Sequence, residues 1–68
     1  MAEQPRYPEI RVALLGESGI AFMILGLVRR ALRKAGIDEA ERQRFSADAM
    51  SGDYNHLLRT VQAWVTVE

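Results

Sequence analysis

Four cations stand close together in the middle of the chain: Arg29, Arg30, Arg33 and Lys34. On a helix this spacing gathers them in two successive turns, and the arginine fork is the side chain best shaped to hold phosphate oxygens two at a time. Three aromatic residues, Phe22, Tyr54 and Trp64, offer flat faces on which a base could stack. Cations with aromatic rings suit a ligand that is both anionic and planar, so these seven are the candidate phosphate-binding and stacking residues. The plainer role of the same cations is to complement the negative end of the helix dipole and to keep the surface hydrated.

The remaining polar residues offer less. Gly16-Glu17-Ser18-Gly19 is a glycine-rich turn that feeds a helix N-terminus, where free amides can hold an anion. The spacing and the Gly-Lys-Ser/Thr ending of a Walker A loop are absent, and Glu17 would repel a phosphate, so Ser18 is expected to cap the helix instead. His56 is the sole histidine, close in sequence to Asp53 and Arg59, and a hydrolytic dyad would need a further residue brought in by folding. With no cysteine there is neither a disulfide framework nor a thiolate zinc site, and one histidine makes no metal cluster. The expectation is a protein that is not an enzyme, with no catalytic residues, no metal and no cofactor.

These side chains need elements to position them. Ile10, Val12 and Leu14 alternate with Arg11 and Ala13, the period-two pattern of a half-buried strand, expected over residues 9–15. Ala21, Ile24, Leu25, Val28, Ala31, Leu32 and Ala35 recur three and four apart on one face of a first helix, with the cations on the other side of its last turns. Gly36 suits the left-handed position after that helix, and Ile37 can fold back on it in a Schellman arrangement. Asp38 caps a second helix, with Glu41 placed to reach back as in a capping box. That helix runs to about Met50 and carries only a thin apolar stripe of Ile37, Ala40, Phe45, Ala49 and Met50, so a surface position is expected. Ser51-Gly52-Asp53 interrupts it, and Tyr54, Leu57, Leu58, Val61, Trp64 and Val65 then repeat at helical spacing. The β-branched run Val65-Thr66-Val67 favours a short extended tail, able to pair with the N-terminal strand or with another subunit. The fold class is therefore mainly α: a small three-helix domain with a short N-terminal β-strand and an extended C-terminal tail. Residues 1–8, with two prolines, are expected to form a flexible N-terminal arm, and residues 9–68 a single domain.

Size and charge constrain the partners. A chain of 68 residues buries only about 60% of its unfolded surface as a monomer, and a second copy commonly supplies what is missing. Ile20, Met23 and Leu27 lie outside the core stripe of the first helix and form its expected oligomer interface. Gly26 sits mid-helix, where it costs roughly 0.8–1 kcal/mol against alanine. That position is explained by close helix packing or by a backbone surface open to a partner helix or a flat ligand. Nine basic residues balance nine acidic ones, so no overall field draws the chain to duplex DNA or to an anionic membrane. The uncharged run from Ile20 to Val28 falls far short of the roughly 20 residues that span a bilayer, and no apolar signal core stands at the N-terminus. A cytoplasmic protein is expected.

The run Gly16-x-x-Gly19-x-Ala21-Phe22-x-Ile24-Leu25-Gly26-x-Val28-Arg29-Arg30-Ala31-Leu32-Arg33-Lys34-Ala35-Gly36, with Ser51-Gly52-Asp53-Tyr54-Asn55-His56-Leu57-Leu58 and Trp64-Val65, resembles small proteins of bacteriophages, prophages and plasmids. It departs from that pattern at Ile20, where a polar residue, often asparagine, is expected. The resemblance implies a phage-type accessory protein acting by stoichiometric binding. One such role is a homo-oligomeric counter-defence sponge that sequesters a host cyclic nucleotide signal. Two alternatives are a protein-interaction module that blocks a host protein and a nucleic-acid accessory protein.

Overall fold

A computed structural model describes residues 4–13 and 21–68. They form, in chain order, β1 (Tyr7–Val12), α1 (Ala21–Lys34), α2 (Glu39–Ala49), α3 (Tyr54–Trp64) and β2 (Val65–Val67). The fold is thus mainly α, with three helices and a strand at each end. The expected turn at Gly16–Gly19, the expected Ser18 cap and Ile20 of the expected oligomer interface lie outside the described residues.

The helix boundaries follow from local chemistry. Gly36 adopts φ 85°, the left-handed conformation that costs glycine no Cβ clash. The amide of Ile37 bonds to the Leu32 carbonyl (3.0 Å) and that of Gly36 to the Arg33 carbonyl (3.0 Å), which is the Schellman pattern. Asp38 caps α2 by accepting from the Glu41 amide (2.9 Å) and Asp53 caps α3 by accepting from the His56 amide (2.9 Å). Each such cap is worth about 1 kcal/mol.

β2 pairs with β1 within the chain, in parallel, bringing Val12 opposite Val67 and Tyr7 opposite Val65 with an irregularity between Tyr7 and Arg11. The strand begins two residues earlier than the alternation predicts. Arg6, Tyr7 and Pro8, expected in the arm, belong to the folded body: the Arg6 amide donates to the Ala63 carbonyl (2.9 Å), and the Thr66 hydroxyl to the Pro8 carbonyl (2.7 Å). The side chain of Glu41 explains why. It does not reach back to close a capping box; its carboxylate accepts from the Tyr7 hydroxyl (2.7 Å) and from Arg6 Nε (3.0 Å). This tie across the fold wins over the local alternative because it satisfies a half-buried phenol and a cation together.

One core joins all five elements. Ile10 and Val12 of β1, Ile24, Leu25, Val28 and Leu32 of α1, Phe45 and Ala49 of α2, Leu57, Val61 and Trp64 of α3, and Val65 are buried. Phe45, the one large apolar side chain within α2 itself, is fully buried and meets Trp64 edge to face, ring centroids 5.5 Å apart. Fully burying such a ring contributes about 1.5–3 kcal/mol. Two turns of apolar contact therefore anchor a helix that is otherwise polar.

Candidate functional site

With Ile24, Leu25, Val28 and Leu32 turned inward, α1 presents its other side to solvent. There Phe22, Gly26 and Arg30 follow at steps of four, as do Arg29 and Arg33, so an exposed ring, an uncovered backbone and three guanidinium groups share one side of the helix. Gly26, Arg29, Arg30 and Arg33 line a shallow depression of about 390 Å³, closed on the α2 side by Arg42. That volume lies at the lower end of the ~300–1,000 Å³ of small-molecule sites. Among the described residues a Cβ built on Gly26 would meet nothing within 4 Å. Close packing against another described element therefore does not explain this glycine.

The electrostatics of the depression are one-sided. Among the described residues the ion pairs are Arg6 with Glu41 and Arg44 with Glu41, and none involves Arg29, Arg30 or Arg33. Arg42 is held in place by donating from Nη1 to the Ile37 carbonyl. It was not legible as a site residue in the sequence, because it comes from the next helix and joins the cluster only through the Gly36 turn. Lys34 is exposed at the end of α1 and does not line the depression.

The predicted stacking residues separate. Phe22 is 75% exposed and Tyr54 is 41% exposed. Both line a second hollow of about 210 Å³, apolar and walled also by Leu25, Met50 and Leu57, at the N-terminal end of α1. Trp64 is only 6% exposed and cannot stack on a ligand. It lies between Phe45 and Tyr7 with the Arg6 guanidinium 5.1 Å above its ring, because the helical stripe that marks it as a core residue outranks its value as a platform. Of the expected oligomer face, Met23 is exposed while Leu27 is half-buried against the core.

His56 performs a local task. Its Nε2 lies 2.8 Å from the Asp48 carbonyl, 3.1 Å from Ser51 Oγ and 3.3 Å from Thr60 Oγ1. A carbonyl at that distance accepts, which places a proton on Nε2, and an N–H cannot take up the proton of Ser51. The imidazole closes the C-terminal end of α2, where carbonyls lack helical partners. Gly52 makes room for it: a Cβ there would stand 2.8 Å from the His56 side chain.

Arg6 is the other charged group with a defined environment. The Tyr7 hydroxyl, then the Glu41 carboxylate, hold its guanidinium above its ordinary pKa. A raised cation contributes stability below its ordinary pKa and loses it only as pH rises through the raised value, so Arg6 stays charged throughout the working range.

No helix among the described residues is long and apolar enough to cross a membrane, and no group of three or more histidine, aspartate or glutamate residues among them could hold a metal. The chain matches no family model, no curated protein and no solved structure.

Proposed function

We propose that the protein acts by stoichiometric binding and not by turnover, taking a small phosphorylated ligand of the nucleotide class on the arginine side of α1. The observation that carries this reading is the depression around Gly26, where Arg29, Arg30, Arg33 and Arg42 converge and the three arginines of α1 have no carboxylate partner among the described residues. A phosphate there gains charge-assisted, two-pronged hydrogen bonds, and Phe22, one turn away, supplies the face for a base. In the phage-type role that the sequence pattern implies, a homo-oligomer in the bacterial cytoplasm would remove a host nucleotide signal from circulation.

Native mass spectrometry of the protein with a panel of cyclic and linear nucleotides tests this directly. A retained nucleotide lost in both Arg30→Ala and Arg33→Ala supports the reading; no retention across the panel, or retention unchanged in both variants, overturns it. A second reading, a module that blocks a host protein, is favoured by the apolar hollow at Phe22, Met50 and Tyr54. It predicts that Phe22→Ala loses a host partner while the arginine variants keep it.

A further inference from the structure

The arginine depression, taken as the phosphate site proposed above, also bears on how many phosphate groups its ligand carries. Four guanidinium groups line it, from Arg29, Arg30, Arg33 and Arg42, and no carboxylate is among the lining residues. None of the four is in an ion pair among the described residues. Four like charges therefore share a hollow of about 390 Å³, and their repulsion is relieved in proportion to the negative charge that a ligand brings. One terminal phosphate offers three acceptor oxygens and a charge of about −1.5 to −2 at neutral pH. That is too few oxygens for four two-pronged forks and about half the charge. A second phosphate linked to the first makes up both deficits without leaving the hollow.

Arg42 adds an independent observation. The negative end of the α1 dipole favours Arg33 in its last turn, but Arg42 stands at the end of the first turn of α2, toward the positive end of that helix and beside three other cations. Both neighbourhoods disfavour a cation. Its guanidinium is nonetheless fixed, by donation from Nη1 to the Ile37 carbonyl, and a fork with five N–H groups has others to give. A donor already held in place loses less freedom when a ligand arrives.

The rows of α1 set the order of the groups. Leu25, Arg29 and Arg33 follow at steps of four, and Leu25 shares the apolar hollow with Ala49 and Met50 at the far end of α2, so this row borders α2 and faces Arg42. Phe22, Gly26 and Arg30 form the next row outward. Phe22 and Arg30 are two turns apart, ~12 Å along the axis, with only the bare backbone of Gly26 between them. We propose that the ligand is a nucleoside diphosphate or a longer linear polyphosphate ester. Its base lies toward Phe22, its inner phosphate on Arg30, and its outer phosphate between the two helices, where Arg29 and Arg42 hold it.

Isothermal titration calorimetry at about 0.15 M salt tests this with adenosine and guanosine mono- and diphosphates, the cyclic dinucleotides of the same bases, inorganic phosphate and pyrophosphate. Each diphosphate should bind at least about tenfold tighter than its monophosphate, and pyrophosphate tighter than phosphate, the scale of one added charge-assisted contact. Arg42→Lys keeps the charge and removes the fork, and Arg29→Gln changes an exposed position; each should cost the diphosphates about tenfold or more. Lys34→Gln removes a charge from the end of α1 outside the depression and should cost only a few-fold. Urea midpoints report whether the variants fold, and Arg29→Gln decides if Arg42→Lys does not. Monophosphates bound as tightly as diphosphates, cyclic dinucleotides bound more tightly than either, or Lys34→Gln as damaging as the depression variants would overturn the linked-phosphate proposal while phosphate binding on the arginine side of α1 stands. No binding of any of these compounds would overturn both.

Discussion

Replacing Gly26 by alanine tests the reading of the α1 surface most sharply, because stability and binding should move in opposite directions. The glycine lies in the second turn of a 14-residue helix and is exposed, with open space where a Cβ would stand. The substitution removes the conformational freedom that glycine keeps in the unfolded chain and adds no clash. Helix propensity then gives a gain of about 0.8–1 kcal/mol. For a domain of this size 1 kcal/mol moves the melting temperature by about 4–8 °C, so Gly26→Ala should melt roughly 3–8 °C higher. Thermal unfolding followed at 222 nm, with the midpoint in urea as a second measure, reads this on the free protein. The floor of the depression rises by a methyl group at the same time, so affinity for a ligand lying on the backbone should fall even though Arg29, Arg30 and Arg33 are untouched. A variant that is destabilised, or unchanged within error, would show that in solution something packs against Gly26, and the open surface on which the argument rests would be refuted.

Two further substitutions probe ties the sequence does not announce. Gly52→Ala forces a Cβ to within 2.8 Å of the His56 side chain, and overpacking of this kind costs about 1–3 kcal/mol; a urea midpoint equal to that of the unaltered protein would remove the assigned role of Gly52. Tyr7→Phe takes the hydroxyl from Glu41, a hydrogen bond to a carboxylate worth about 1.5–3 kcal/mol when part-buried. It should lower stability and loosen the packing around Trp64, seen as a red shift of its emission, and a variant with the parent's stability and spectrum would show that the Tyr7–Glu41 bond does not fasten β1.

The legible parts of the fold were those set by neighbours in sequence. Gly36 with Ile37, and Asp38 ahead of its helix, carry their instructions within six residues, and both formed as read. The misreadings arose where a side chain had two partners to choose from. Glu41 had a local amide within reach and took Tyr7 and Arg6 instead, 34 and 35 residues away. Trp64 served two patterns, a core stripe and a set of exposed rings, and only contact with Phe45 and Tyr7 decides between them. Val65–Val67 favour an extended strand without naming its neighbour, so the intrachain partner β1 emerged only with the fold. Arg42 illustrates the same limit for the site: its position beside Arg29, Arg30 and Arg33 depends on how α2 leaves the turn.

This division between the two sides of α1 determines what mutagenesis can reveal. The inward side holds the protein together: four buried residues of α1 meet strand and helix partners, and shortening any of them removes packing that a domain this small cannot spare, since total stability at this length is only about 3–10 kcal/mol. The outward side bears almost none of that load. Arg29, Arg30 and Arg33 are exposed and unpaired with carboxylates among the described residues, and substitutions at such positions move stability by no more than about 0.5 kcal/mol. A binding defect in Arg30→Ala or Arg33→Ala therefore cannot be traced to unfolding, whereas one in a Leu25 or Leu32 variant could. The helix dipole accounts for Arg33 and Lys34 in the last turn of α1; the open backbone at Gly26 and the guanidinium groups of Arg29 and Arg30 are the features that the proposed ligand would engage.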